Sequence, residues 1–244
     1  MTSDYAPGWS PDMLAMLTGR TATERAAFVL PLLSPGQRVL DLGCGPGTIT
    51  AGLADAIAPT GTLIAIDREP TQLPLARSAA PTARYAVAGA ESLPIATHTL
   101  DVVFAHAVFE HLPNPAAVLT EFRRVLRPGG LLALSSSDWS SAVVEPRTPD
   151  VDRALAAHYR LRREAGGDPF MGARLADLVR ANGFVDVQTT AQDRVDMTYP
   201  QLADYIHVRV AAAGDSQAAE AAARWSQHNG RFTQRWHEVT ARSI

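Results

Sequence analysis

Val39-Leu40-Asp41-Leu42-Gly43-Cys44-Gly45-Pro46-Gly47-Thr48 is the stretch on which the fold turns. An apolar, β-prone run carries a carboxylate near its end and passes into a loop with glycine at alternate positions. Ile49-Thr50-Ala51-Gly52-Leu53-Ala54 follows with a helical pattern. Strand, glycine loop and helix bring backbone amides close to a ligand at a helix N-terminus, the arrangement used for nucleotides. Which nucleotide is decided by charge and spacing.

A pyrophosphate fingerprint needs Gly-x-Gly-x-x-Gly, and Thr48 stands where its third glycine belongs. Asp41 would face incoming phosphates with negative charge. Leu63-Ile64-Ala65-Ile66-Asp67 is a second apolar strand ending in an acid, placed to accept hydrogen bonds from both hydroxyls of a ribose. A third acid, Glu91, follows a third strand. Three acids around one loop fit a ligand with positive charge and no phosphate. S-adenosylmethionine, with its sulfonium and ammonium groups, is such a ligand, and NAD is not.

With these motifs the chain resembles the class I, Rossmann-like SAM-dependent methyltransferases, in the small-molecule branch that includes the ubiquinone/menaquinone biosynthesis enzymes. The matching segments are VLDLGCGPGT (39–48), LIAIDRE (63–69), AGAESLPI (88–95), LDVVFAHAVFEHL (100–112) and VLRPGG (125–130), in order over about the first 140 residues. The resemblance implies a cofactor site of Arg20, Asp41, Gly43, Cys44, Gly45, Gly47, Asp67, Arg68, Ala90, Glu91 and His106. Asp41 is expected to orient the loop and meet the methionine ammonium, and Asp67 to hold the ribose. Gly89 departs from the pattern, since many relatives have Asp there, so adenine recognition is expected from the backbone at Ala90 or from Glu91.

The net charge of −3 and the absence of basic tracts argue against a nucleic-acid substrate. An apolar share of 46% supports a sizeable core. Cys44 is the only cysteine, which excludes an internal disulfide; it reads as a packed loop residue rather than a catalytic thiol. Met1-Thr2-Ser3-Asp4-Tyr5 has no signal-peptide character, and no apolar run reaches bilayer length, so a cytoplasmic protein without membrane insertion is expected. The expected partner is a small-molecule methyl acceptor, with a homodimer left open.

Alternating strands (37–42, 62–67, 83–88, 101–106, 130–136) and helices (48–57, 70–79, 115–126) predict an α/β, doubly wound, mostly parallel sheet. Two helices precede it, the second capped by Thr21. After Asp138 the pattern breaks; a helix over 171–181 leads into a sixth strand, and a helical stretch runs from Tyr199 to about 228. Residues 231–242 suit helix or strand. The family resemblance implies a strand, the seventh, lying antiparallel between the fifth and sixth. Three regions are expected: an N-terminal helical cap (1–36), a SAM-binding core (37–137), and the rest of the sheet with substrate-cap helices near 138–170 and 200–228.

Methyl transfer from a sulfonium is an in-line displacement and needs a base only if the acceptor arrives protonated. His106, ending the fourth strand, is the candidate catalytic group, with Glu110 one turn away. His111 reads as structural, packing or capping the next helix. The spacing of His106 and His111 argues against a metal site. Arg20 is placed to pair with the methionine carboxylate, and Arg68 to lie along the adenine. Trp139, Tyr159, Phe170, Tyr199 and Tyr205 are placed to wall an apolar acceptor pocket. The Arg160-Arg162-Arg163 run fits a solvated helix face better than contact with an anionic acceptor. The competing functions are an NAD-dependent oxidoreductase and a non-catalytic SAM-binding protein.

Overall fold

Apolar strands that are buried on both faces need helices on both sides, and the chain supplies them by alternation. The computed structural model describes residues 11–244; the first ten positions, part of the expected N-terminal cap, lie outside the described residues. Helices α1 (Pro11–Thr18) and α2 (Ala22–Arg25) precede β1 (Arg38–Leu42), α3 (Thr48–Ile57), β2 (Thr62–Asp67), α4 (Leu73–Ala79), β3 (Arg84–Val87), β4 (Leu100–His106) and α5 (Pro115–Val125). Then follow β5 (Leu126–Glu145), α6 (Pro149–Glu164), α7 (Met171–Ala181), β6 (Val185–Arg194), α8 (Tyr199–Ala212), α9 (Ser216–Trp225) and β7 (Arg231–Arg242).

The seven strands form one sheet in the order β3-β2-β1-β4-β5-β7-β6. β1 pairs in parallel with β2 and β4, whereas β7 is antiparallel to both β5 and β6, as the family resemblance implied. One face buries Phe109, Val118, Leu119 and Phe122 with Leu175 and Val179 against the strands. The other buries Ala22, Ala26 and Val29 with Leu53 and Ile57 against Val39, Leu63, Val102 and Phe104. The strand order reverses between β1 and β4, which opens a crevice at their carboxyl ends.

Three elements differ from the sequence expectation. β5 is far longer than 130–136. Ser135, Ser136, Ser137 and Asp138 break the apolar run, yet all four are buried: the hydroxyls of Ser136 and Ser137 donate to Glu110, and Asp138 accepts from Ser140. β5 and β7 therefore continue beyond the sheet's core into a second hydrophobic cluster with Val151, Leu155, Leu202, Ile206 and Trp225, so the cap helices carry a core of their own. α2 is a single turn, and Thr21 does not cap it: its hydroxyl meets that of Thr23. Asn114, not His111, caps α5, accepting from the amide of Ala117 at 3.2 Å.

Gly47, at the head of α3, has φ +82° and packs against α4: a Cβ there would lie 2.6 Å from Ala76 Cα and 3.0 Å from its carbonyl oxygen. Backbone blocks that space, so Gly47→Ala combines left-handed strain with overpacking. It is expected to lower stability by about 2 kcal/mol, read as a fall in the urea midpoint at unchanged slope.

Candidate active site

The crevice holds a cavity of 280 Å³. It is walled by the glycine loop, the end of β2, Ala88–Glu91 and the end of β4, with Leu17 and Arg20 closing it from the N-terminal side. Of the expected cofactor residues, Arg20, Gly43, Cys44, Gly45, Asp67, Arg68, Ala90, Glu91 and His106 line it, and Asp41 and Gly47 do not. The loop glycines divide their work. Gly45, at φ +50°, and Gly89 border the cavity, and nothing lies within 4 Å of where a Cβ would stand at either, so a side chain there would project into open space. Gly47 serves helix packing.

Asp67 accepts the amide hydrogen of Gly45 on one carboxylate oxygen and that of Glu69 on the other, both at 2.9 Å. Burial outweighs these bonds and raises its pKa from the ordinary aspartate value. Asp41 is buried beneath the loop, 3% exposed, and accepts the Thr50 hydroxyl at 2.6 Å. Burial, reinforced by the charge of Asp67 and only partly offset by Thr50, pushes its pKa up to about 7. Burial and the same two acids push the Cys44 thiol up, the opposite of an activated nucleophile.

His106 is 7% exposed and stacks on Trp236, with ring centroids 4.8 Å apart and planes 18° from parallel. Neither ring nitrogen has a hydrogen-bond partner. Burial first, then the charges of Arg20, Arg25 and Arg194, hold its pKa well below the usual imidazole value, so it is neutral near pH 7. The expected link to Glu110 does not form, since that carboxylate accepts from Ser136 at 2.7 Å and Ser137 at 3.1 Å. Arg20 lies 5.7 Å over the ring of Trp236.

A smaller cavity of 60 Å³ adjoins the first and shares Leu17, Arg20, Ala107 and His111 with it. His111 thus faces both spaces rather than serving the helix that follows. Trp139, Tyr205, Phe232 and Trp236 wall this second space. Tyr159 and Phe170 stand behind Trp139, at 5.9 Å from Trp139 to Tyr159 and 5.3 Å from Tyr159 to Phe170. Tyr199 is core: its ring meets Trp225 and its hydroxyl donates to the Pro146 carbonyl at 2.6 Å. Phe232 and Trp236 escaped sequence reasoning. The signal for them was the period-two burial of Phe232, Gln234, Trp236 and Glu238, which requires 231–242 to be read as a strand. Among the described residues no three His, Cys, Asp or Glu side chains are grouped to hold a metal, and no helix is long and apolar enough to cross a membrane.

Residues 40–134 match the family description of a methyltransferase domain. Trans-aconitate 2-methyltransferase of Methylobacterium radiotolerans is 33% identical over 192 residues, covering 78% of this chain and 70% of that protein. The chain belongs to the class I SAM-dependent methyltransferase family. A protein of Streptomyces fradiae encoded in a transposon is 32% identical over 232 residues, covering 89% of this chain. The chain spans 66% of that relative's length and 62% of a methyltransferase of Aspergillus luteorubrus, just under two thirds of each. Among solved structures, a SAM-dependent methyltransferase from Aquifex aeolicus superposes with a TM-score of 0.58 at 16% identity, covering 97% of this chain and all of that one. Phosphoethanolamine N-methyltransferase 2 of Haemonchus contortus, bound to S-adenosylhomocysteine, gives 0.61 at 14%, covering 91% and 52%. At these identities the structural likeness is one of fold.

The residues lining the site fit S-adenosylmethionine. Gly45 and Gly89 leave open the space a Cβ would fill, Asp67 has lone pairs beyond its two amide bonds, and no cationic side chain is seated in the glycine loop.

Proposed function

We propose that this chain transfers a methyl group to O, N or C of a small organic molecule. The observation that carries the reading is two adjoining cavities, the larger beside the glycine loop and Asp67, the smaller walled by aromatic rings, which share Leu17, Arg20, Ala107 and His111 as lining. When bound, S-adenosylmethionine supplies an electrophilic methyl with its leaving group. The chain's own part is then to bind, orient and exclude water. Asp67 holds the ribose hydroxyls; Gly43, Cys44 and Gly45 form the loop against the methionyl part; Asp41 beneath it offers negative charge toward the methionine ammonium. Arg20 sits over the methionyl end, and Arg68, Ala90 and Glu91 border the adenine. The relative in Methylobacterium named for trans-aconitate supports a small acceptor.

His106 lines the larger cavity, stacked on Trp236 of the smaller, as a neutral imidazole with no hydrogen-bond partner, which supports orienting a donor or acceptor rather than abstracting a proton. His106→Asn is accordingly expected to lower kcat by about tenfold, short of the hundredfold or more of a lost general base. With S-adenosylmethionine saturating, so that its ammonium holds Asp41 ionised, the pH profile of kcat is expected to show no limb near the ordinary imidazole pKa. A limb there, abolished by the substitution, would restore His106 as base.

The test of the whole reading is calorimetric titration with S-adenosylmethionine, S-adenosylhomocysteine and NADH, followed by turnover with mixed phenols, amines and carboxylic acids, assayed for S-adenosylhomocysteine. Binding of NADH without the two sulfur ligands would sink it.

A further inference from the structure

We propose that Arg162 is the anion anchor of the acceptor site, receiving the carboxylate of an otherwise apolar or aromatic methyl acceptor; the proposal rests on the methyltransferase reading above. The helix geometry of α6 splits the arginine run that the sequence presents as one face. Arg160 is exposed and pairs with Asp215. Arg163 is exposed, 5.1 Å over the ring of Phe170. Arg162 points the other way, is 5% exposed, and borders the smaller cavity.

A buried guanidinium is normally matched by a carboxylate, because its desolvation is otherwise uncompensated. Arg162 pairs with no carboxylate among the described residues. Its side-chain contact is with Nδ1 of His111 at 3.4 Å, a long bond, and its own Nε makes none. His111 offers no countercharge: burial and the charge of Arg162 itself hold that imidazole neutral. The acids in the same wall are engaged elsewhere, Glu110 with Ser136 and Ser137, Asp196 with Arg25 at 2.5 Å. Among the described residues the cavity therefore presents a planar fork of donors that no carboxylate matches, on an aromatic wall of Trp139, Tyr205, Phe232 and Trp236. A planar carboxylate on an apolar body complements both parts. Through the shared Arg20, Ala107 and His111, such a body reaches toward the larger cavity where the methyl donor binds.

The test uses the full chain saturated with S-adenosylhomocysteine. Benzoate, phenylacetate and hexanoate are titrated, each beside its neutral primary amide, with tryptophan fluorescence from the cavity wall as readout. At least one acid is expected to bind roughly tenfold more tightly than its amide, the worth of a charge-assisted pair. Arg162→Gln is expected to bring that ratio near one while S-adenosylhomocysteine still binds. Equal behaviour of acid and amide in all three pairs, or a ratio that survives R162Q, overturns the proposal. Should R162Q fail to fold, Arg162→Lys carries the test: a point charge without the fork is expected to lose most of the ratio, and an unchanged ratio overturns the anchor. If the parent protein binds no S-adenosylhomocysteine, the methyltransferase reading itself has failed and the proposal falls with it.

Discussion

Asp67→Ala is expected to bind S-adenosylhomocysteine about a hundredfold more weakly than the parent protein, measured by calorimetry. Each oxygen of this carboxylate accepts one backbone amide, from Gly45 or Glu69, and each keeps a lone pair for a ribose hydroxyl. Two hydrogen bonds to a charged group, at roughly 1.5–3 kcal/mol apiece, give about 3–6 kcal/mol, and the loss of solvation brings the lower end of that range to about 2.7 kcal/mol, a hundredfold change. Removing the side chain also frees the Gly45 amide, so the loop keeps only its Gly43 and Cys44 amide bonds to the Ile66 carbonyl of β2. Stability is expected to change little, because burial raises the pKa of Asp67 and its charge is a cost to the ligand-free fold. An unchanged affinity in a folded variant would contradict the ribose assignment.

That residue was readable from the sequence because its signal is local: an apolar strand, an acid at its end, and a fixed distance from a glycine loop. The same holds for Gly43, Gly45 and His106, which the parallel order of β2, β1 and β4 brings to one crevice. The cap was less legible because its chemistry depends on long-range contacts. Arg160, Arg162 and Arg163 are equal in sequence, and only the packing of α6 against Trp139 and Tyr205 separates the buried one from its solvated neighbours. The buried serines of β5 concealed the strand's length, since their polarity suggests a loop until Glu110 is seen to take the hydroxyls of Ser136 and Ser137. Trp236 became visible as a site residue only with the antiparallel pairing of β7, which places it opposite Ser137 and against His106. Gly47 looked like a ligand glycine and is a packing glycine, a distinction set by the nearness of Ala76.

Asp41→Asn is expected to make the ligand-free protein more stable above neutral pH, by up to about 4 kcal/mol. The sign follows from proton linkage. Asp41 has its pKa raised from 3.8 to about 7 on folding, so between those values the folded chain holds a proton that the unfolded chain has lost. Stability therefore falls as pH rises across that window, and the full penalty is present above it. Asparagine retains a carbonyl oxygen for the Thr50 hydroxyl, now bonded at 2.6 Å, and removes the titration. Urea melts of the two proteins are expected to converge near pH 4 and to separate progressively up to pH 8. The order reverses for ligand: if the ionised Asp41 faces the methionine ammonium, the asparagine variant binds S-adenosylmethionine more weakly, and saturating ligand closes the stability gap from the parent's side. A variant less stable than the parent at pH 8 would mean that the charge is already compensated within the fold. A carboxylate so unfavourable to the ligand-free fold, buried under the glycine loop, is what a site whose countercharge arrives with the ligand requires.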